Sequence, residues 1–269
     1  MARPLVQVTL PHTDQGDIPA YTRTCGNLKL TIQPTIIRQE DGAYTNYGIP
    51  YGSIPRLVLA WLSTEAVRTR SREIGLGDNL SAFLKTLDLA PQTGKRGTMG
   101  RARKQITRLF TSSFIIMQDE TNNLAGPGRM STIGFRLSDE YSLLWNPLHP
   151  DQIGRFSSKV TLSEKFYRTI TDRPVPVDMR ILRQVQKSPL AIDIYTWLTY
   201  RMSYLTKACI ISWPLLAMQF GSGYSEMKVF KFKFAKRLRA VLEWYQVNVQ
   251  IAEDGLVMQP SKPSVKRGK

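Results

Sequence analysis

The sequence predicts an α+β fold, mainly helical, built as two tandem winged-helix domains. Three observations predict it. Each half of the chain closes a series of helices with an amphipathic helix whose outward face is basic and free of acids. Each of those helices is followed by two β-prone segments joined by a turn, and a proline-bearing stretch near the middle separates the two series. The 269 residues, 42% of them hydrophobic, suffice for two cores of ordinary size.

Residues 1–28 hold Pro4, Pro11, Gly16 and Pro19 without lasting periodicity, which predicts an irregular N-terminal arm. Leu28, Leu30, Ile32 and Ile36 alternate with polar residues in a strand that Pro34 interrupts. Asp41-Gly42 and Gly48 to Gly52 mark the loop after it. Pro55 opens a helix for which Ser53 is the expected cap, and Leu57, Val58, Trp61, Leu62 and Ala66 recur on one face. Asn79 or Ser81 can cap a second helix carrying Leu80, Phe83, Leu84 and Leu87. A third helix runs from about Thr98 to Phe110, and the segments Ser113–Gln118 and Ser131–Leu137 form the first wing around Gly126-Pro-Gly128. These elements make up an N-terminal winged-helix domain over 29–155.

The second half repeats the order. A strand at Val160–Leu162 and a short helix from Ser163 precede the stiff Pro174-Val-Pro176. Asp178 caps Met179–Gln186, and Ser188-Pro189 starts a heavily apolar helix reaching Leu205. A β-prone run at Cys209–Trp213, a small helix at Leu215–Phe220 and a long helix from Ser225 to Tyr245 follow. Val247–Ile251 and Leu256–Met258 flank Asp254-Gly255 as a second wing. The C-terminal winged-helix domain spans 156–259, with the division near Pro147 and Pro150, and 260–269 is expected to be a disordered basic tail.

Charge names the class of partner. Thirty-seven Lys and Arg against 21 Asp and Glu give a formal charge of +16, which opposes compaction and calls for a polyanion. The excess is concentrated in two stretches. Lys95, Arg96, Arg101, Arg103, Lys104 and Arg108 occupy one, with Thr107 beside them; Lys228, Lys231, Lys233, Lys236, Arg237 and Arg239 occupy the other. A helix fits the major groove of B-form DNA, where Lys and Arg pair with phosphates or with guanine O6 and N7. Periodicity turns Ala102, Ile106, Leu109 and Phe110 inward, and Phe230, Phe234, Leu238 and Val241 likewise. The 14 candidate contacts to double-stranded DNA are these 13 residues and Arg129 in the first wing. Phe232 also falls on the basic side, where it would touch a thymine methyl, stack on a base, or contact the wing or a neighbouring helix.

Other chemistries lack their residues. His12 and His149, the two histidines, lie beside prolines without metal-ligand spacing, and Cys25 and Cys209 make neither a disulfide framework nor a zinc site. Gly94-Lys95 is followed by Arg96 rather than Ser or Thr, so no phosphate-binding loop of the ATPase type is present. Asp119 with Glu120, and Asp139 with Glu140, are adjacent pairs that point apart. The expectation is a protein that is no enzyme and takes no cofactor and no metal. No apolar run reaches a membrane span, and the N-terminus lacks a signal-peptide core, so a cytoplasmic location is expected.

The segment Tyr51-Gly-Ser-Ile-Pro-Arg-Leu-Val-Leu-Ala-Trp-Leu-Ser-Thr-Glu-Ala66, with Gly77-Asp78, Leu80-Ser-Ala-Phe-Leu84 and the basic helix ending at Phe110, resembles the plasmid-encoded RepA-type replication initiators. The resemblance covers roughly Tyr51 to Glu243. It implies tandem winged helices that bind repeated origin sites (iterons), melt an adjacent AT-rich region and recruit the host initiator and replicative helicase. It also implies autorepression and a homodimer, with Leu28–Ile37 and Ser113–Leu137 as candidate surfaces. In the family the C-terminal winged helix reads the iteron, a role that falls here on Lys228, Lys231, Lys233, Lys236, Arg237 and Arg239. Two other readings stay open, a winged-helix transcriptional repressor and a basic RNA-binding protein.

Overall fold

The computed structural model describes residues 1–94, 97–119, 130–142, 158–172, 174–221 and 223–265. It is an α+β structure. The chain opens with helix α1 (Arg3–Gln7), then β1 (Tyr21–Cys25), β2 (Leu28–Gln33), β3 (Ile36–Arg38) and β4 (Tyr44–Asn46). Helix α2 (Ser53–Thr69), β5 (Glu73–Gly77), α3 (Leu80–Thr86) and α4 (Thr98–Thr111) follow. Next come β6 (Ser113–Asp119), β7 (Met130–Arg136), β8 (Ser138–Ser142), β9 (Ser158–Leu162) and α5 (Glu164–Thr171). The rest is α6 (Met179–Val185), α7 (Pro189–Met202), β10 (Cys209–Ser212), α8 (Trp213–Phe220), α9 (Met227–Leu242), β11 (Val249–Ile251) and β12 (Gly255–Met258).

Most sequence signals act where expected. Pro34 separates β2 from β3. Asn79, Ser163, Asp178 and Ser188 each cap a helix with a side-chain oxygen. Helix α2 is the exception: its cap is Gly52, not Ser53. Gly52 has φ +79, a left-handed conformation open to glycine, and its N–H donates to the Pro11 carbonyl at 3.1 Å.

The two hairpins after the basic helices form within larger sheets. β6 and β7 pair antiparallel, with Phe114 opposite Phe135, and β2 and β1 extend them into the order β1-β2-β6-β7. β11 and β12 pair likewise, and β10 joins on the other side of β12. Phe135 stacks between Phe114 and Phe166, with centroids at 5.8 and 5.7 Å, joining that sheet to α5.

Two expectations about layout meet a different structure. Residues 1–28 carry α1 and β1, with Leu5, Val6, Val8 and Leu10 buried and α1 packed on α7. The Met1 amine donates to the Val175 carbonyl at 2.7 Å, and the Val175 N–H donates back to the Met1 carbonyl at 2.9 Å. An irregular arm becomes ordered here because long-range contacts supply the burial that five helical residues cannot supply alone. Strand β9, expected to open the second half, instead lies between β5 and β8, and α5 packs on α2. Pro147, Pro150 and the rest of the expected division lie outside the described residues. In the C-terminal tail, Ser264 meets the Tyr195 hydroxyl at 3.0 Å and the Lys262 carbonyl accepts from Tyr245 at 3.0 Å, so this stretch is tied to α7 and to the residues just past α9; 266–269 are outside the description.

Candidate nucleic-acid interface

Helices α4 and α9 are mounted in the same way, by an apolar stripe that leaves a cationic face outward. On α4, Met99, Ala102, Ile106, Leu109 and Phe110 are buried, packed on α2 and α3. The Tyr51 N–H donates to Gln105 Oε1 at 2.8 Å, tying α4 to the start of α2. Arg101, Arg103 and Lys104 are exposed and Thr107 is half-buried. The loop before α4 closes tightly at Gly97, where a Cβ would lie 2.2 Å from the Gln92 carbonyl oxygen. Lys95 and Arg96 lie outside the described residues, as does Arg129 of the first wing.

Arg108 is the correction on this helix. It is buried, not outward, and its guanidinium serves the protein. Nε donates to the Tyr47 carbonyl at 2.8 Å, and Nη1 donates to the Ile49 carbonyl and to Asp14 Oδ1, both at 3.2 Å. The group also lies over the Tyr51 ring, 5.4 Å from its centroid. Gly48, at φ +80, makes room for it: a Cβ there would sit 2.7 Å from Nη2. Burial would raise the Asp14 carboxyl, but the Arg108 charge beside it prevails and holds it below the ordinary carboxylate value. In the sequence Arg108 continues the basic run; only the carbonyls gathered from a distant loop mark its different role.

On α9, Phe230, Phe234, Leu238 and Val241 are buried. Trp213 meets Phe230 and Phe234 edge-on, with centroids 6.4 and 5.9 Å away, and Phe220 stands 5.5 Å from Phe234. The outward face exposes Lys228, Lys233, Lys236 and Arg239, and Arg237 is exposed on the flank. Lys231 is half-buried on the flank, its Nζ 5.3 Å from the Trp213 ring centroid. Phe232 is 65% exposed among these cations and is not part of the core.

Among the described residues, none of Arg101, Arg103, Lys104, Lys228, Lys231, Lys233, Lys236, Arg237 and Arg239 joins an ion pair. Four surface arginines elsewhere do, Arg68 with Glu65, Arg72 with Asp139 and Glu164, Arg168 with Glu164, and Arg180 with Asp178, whereas others such as Lys29, Lys85 and Lys187 do not. What sets the two helix faces apart is the clustering: each gathers several exposed cations along one helix with no acid among them and no ion pair within the described residues. An arrangement of this kind attracts polyanions.

One internal constellation is invisible in the sequence, a buried cluster of Arg56, Asp193 and His12. Arg56 Nε donates to Asp193 Oδ1 at 2.7 Å and Nη2 to Oδ2 at 2.8 Å. Its remaining N–H groups reach the carbonyls of Leu10, Pro11 and Gly52 at 2.6, 3.1 and 2.7 Å. His12 Nε2 lies 2.8 Å from Asp193 Oδ2. Because α2 also packs on α4, and α7 on α9, this cluster stands between the two basic helices in the packing order α4–α2–α7–α9. Among the described residues no group of three or more His, Cys, Asp or Glu could hold a metal ion, and no helix is long and apolar enough to cross a membrane.

Comparison with solved structures finds the same fold in domains 2 and 3 of RctB. One selenomethionine crystal structure of those domains aligns with TM-score 0.61 at 12% identity, covering 97% of this chain and 100% of that one. A second, of RctB residues 155–483, aligns with TM-score 0.53 at 13% identity, covering 88% and 82%. No curated protein matches the chain in sequence. The family described as plasmid encoded RepA protein matches over residues 49–214, a span holding the Tyr51–Arg56 segment, α4 and the Arg56–Asp193 pair. The chain belongs to the plasmid-encoded RepA family, the replication initiators that its sequence resembles.

Proposed function

We propose that this RepA protein binds repeated double-stranded sites, iterons, at its plasmid origin through α4 and α9. In this reading each half acts as a winged helix, α2–α4 with the β6–β7 hairpin and α7–α9 with the β11–β12 hairpin. Each presents its basic helix to a major groove. The observation that carries the reading is the pair of exposed, acid-free helix faces on which cations cluster without an ion pair among the described residues. Arg101, Arg103, Lys104, Lys228, Lys233, Lys236, Arg237 and Arg239 supply the contacts, with Thr107 and Lys231 beside them; Lys95, Arg96 and Arg129 are further candidates from the sequence, outside the described residues.

Two separate helices in one chain suit direct repeats, since each half-site meets a different surface. Bound there, the protein melts the neighbouring AT-rich DNA and recruits the host initiator and replicative helicase. As a homodimer it represses its own gene. It has no catalytic activity of its own and works in the cytoplasm. Footprinting on the plasmid origin, together with replication of an origin plasmid lacking this gene, tests the reading. Protection of direct repeats and replication only when the protein is supplied in trans are expected. Replication without the protein would leave the repressor as the better reading, and preference for RNA over duplex DNA in competition would overturn both.

A further inference from the structure

We infer that Phe232, with Val229 beside it, reads a thymine methyl group in the major groove. The inference rests on the reading of α9 as a groove-binding helix. Phe232 is 65% exposed and Val229 40% exposed, and they stand three residues apart on a helix, so they form one apolar spot. At about 100° per residue, Phe232 falls between Lys228, Lys236 and Arg239, and Val229 beside Lys233 and Lys236. The spot is thus enclosed by cations that take part in no ion pair among the described residues. Lys233 Nζ lies 6.0 Å from the Phe232 ring centroid, an arrangement that keeps an ammonium over the ring without covering it.

Charge complementarity fixes the occupant. A face of four exposed cations, Lys228, Lys233, Lys236 and Arg239, without an acid repels a basic protein surface and attracts a phosphate-lined groove. Inside the major groove the apolar feature on the base edges is the thymine C5-methyl. Lysines bind phosphates regardless of sequence, whereas a phenylalanine gains only where that methyl is present. The apolar core of α9 is complete without Phe232, because Phe230, Phe234, Leu238 and Val241 already fill the inward stripe.

The test uses the full chain and a pool of duplexes with a randomised segment. Wild type, Phe232→Ala, Phe232→Leu and Lys233→Ala/Lys236→Ala are each used to select binding sequences. Wild type is expected to select a thymine at a position where Phe232→Ala accepts any base, with Phe232→Leu between them. Replacing that thymine by deoxyuridine removes one methyl and should weaken wild-type binding about fourfold while leaving Phe232→Ala unchanged. Retention of the same thymine preference and deoxyuridine penalty by Phe232→Ala overturns the inference, as does a wild-type selection without thymine. So does a sedimentation shift in Phe232→Ala with unchanged sequence preference, which would assign the spot to protein–protein contact. Failure of the reading beneath is distinguishable: Lys233→Ala/Lys236→Ala would then bind every duplex as wild type does.

Discussion

Arg56 and Asp193, 137 positions apart in the chain, form a buried two-pronged ion pair with N–O distances of 2.7 and 2.8 Å. Arg56 ends the Tyr-Gly-Ser-Ile-Pro-Arg segment near the start of α2, and Asp193 lies in the first half of α7. A buried charge is tolerated only when its partner and its remaining hydrogen bonds are supplied, and here Leu10, Pro11 and Gly52 supply them. The pair joins the helix carrying α4 to the helix carrying α9.

Removing one partner leaves the other charge buried and unanswered. Asp193→Asn and Arg56→Ala should each lower unfolding free energy by about 3–5 kcal/mol, measured as a shift in the urea midpoint. Arg56→Lys should not restore it, since an ammonium cannot span both carboxylate oxygens. A decrease within about 1 kcal/mol for both variants, the range of an exposed pair, would show that the pair is no clamp.

The same cluster makes stability fall with acid. Burial holds His12 below its ordinary pKa of 6.5, and Arg56 and Arg23 push the same way against the pull of Asp193. A histidine lowered by folding takes its proton more readily when unfolded. Its contribution is therefore whole above about 6.5 and disappears as pH falls below it. The Met1 amine, lowered by burial to about 5 from 8.0, acts in the same direction. The His12 share is read as a difference: the thermal midpoint of His12→Gln should fall less between pH 7 and 5 than that of wild type. Burial raises the Asp193 carboxyl while Arg56 and His12 outweigh it, so its own titration belongs below 3.8, outside this window.

Arg108 and its neighbours on α4 should separate stability from binding. Arg108→Ala strands two carbonyls and Asp14, and should cost about 2 kcal/mol or more of stability. Gly48→Ala should have a similar effect by displacing the guanidinium. Arg101→Ala/Lys104→Ala should leave the melting temperature almost unchanged. The same double variant should flatten the logarithmic salt dependence of duplex binding by about 0.9 for each phosphate it no longer neutralises. Equal salt slopes in wild type and that double variant would remove α4 from the interface.

Local chemistry makes much of this architecture legible. Pro34, Asn79, Asp178 and Ser188 act on their immediate neighbours, and their effects are those the sequence predicts. The apolar stripes of α4 and α9 are readable because helical periodicity alone sets which residues turn inward. What escapes is non-local. Leu5 and Val6 are buried in a short helix that packs on the distant α7, and β9 finds its partners in β5 and β8. Arg56, Asp193 and Arg108 escape for the same reason, since each is defined by groups far away in sequence. Phe232 admits both a packing and a ligand-contact reading from sequence, and its 65% exposure excludes only a place in the core.

The most direct test of the account is a footprint of the plasmid origin made with three proteins at one salt concentration. These are wild type, Arg101→Ala/Arg103→Ala/Lys104→Ala and Lys233→Ala/Lys236→Ala/Arg239→Ala. The account predicts that wild type protects direct repeats and that each triple variant fails to protect a different part of every repeat. Unprotected repeats with wild type, or footprints from both variants that match it, would contradict the claim that α4 and α9 together hold the duplex.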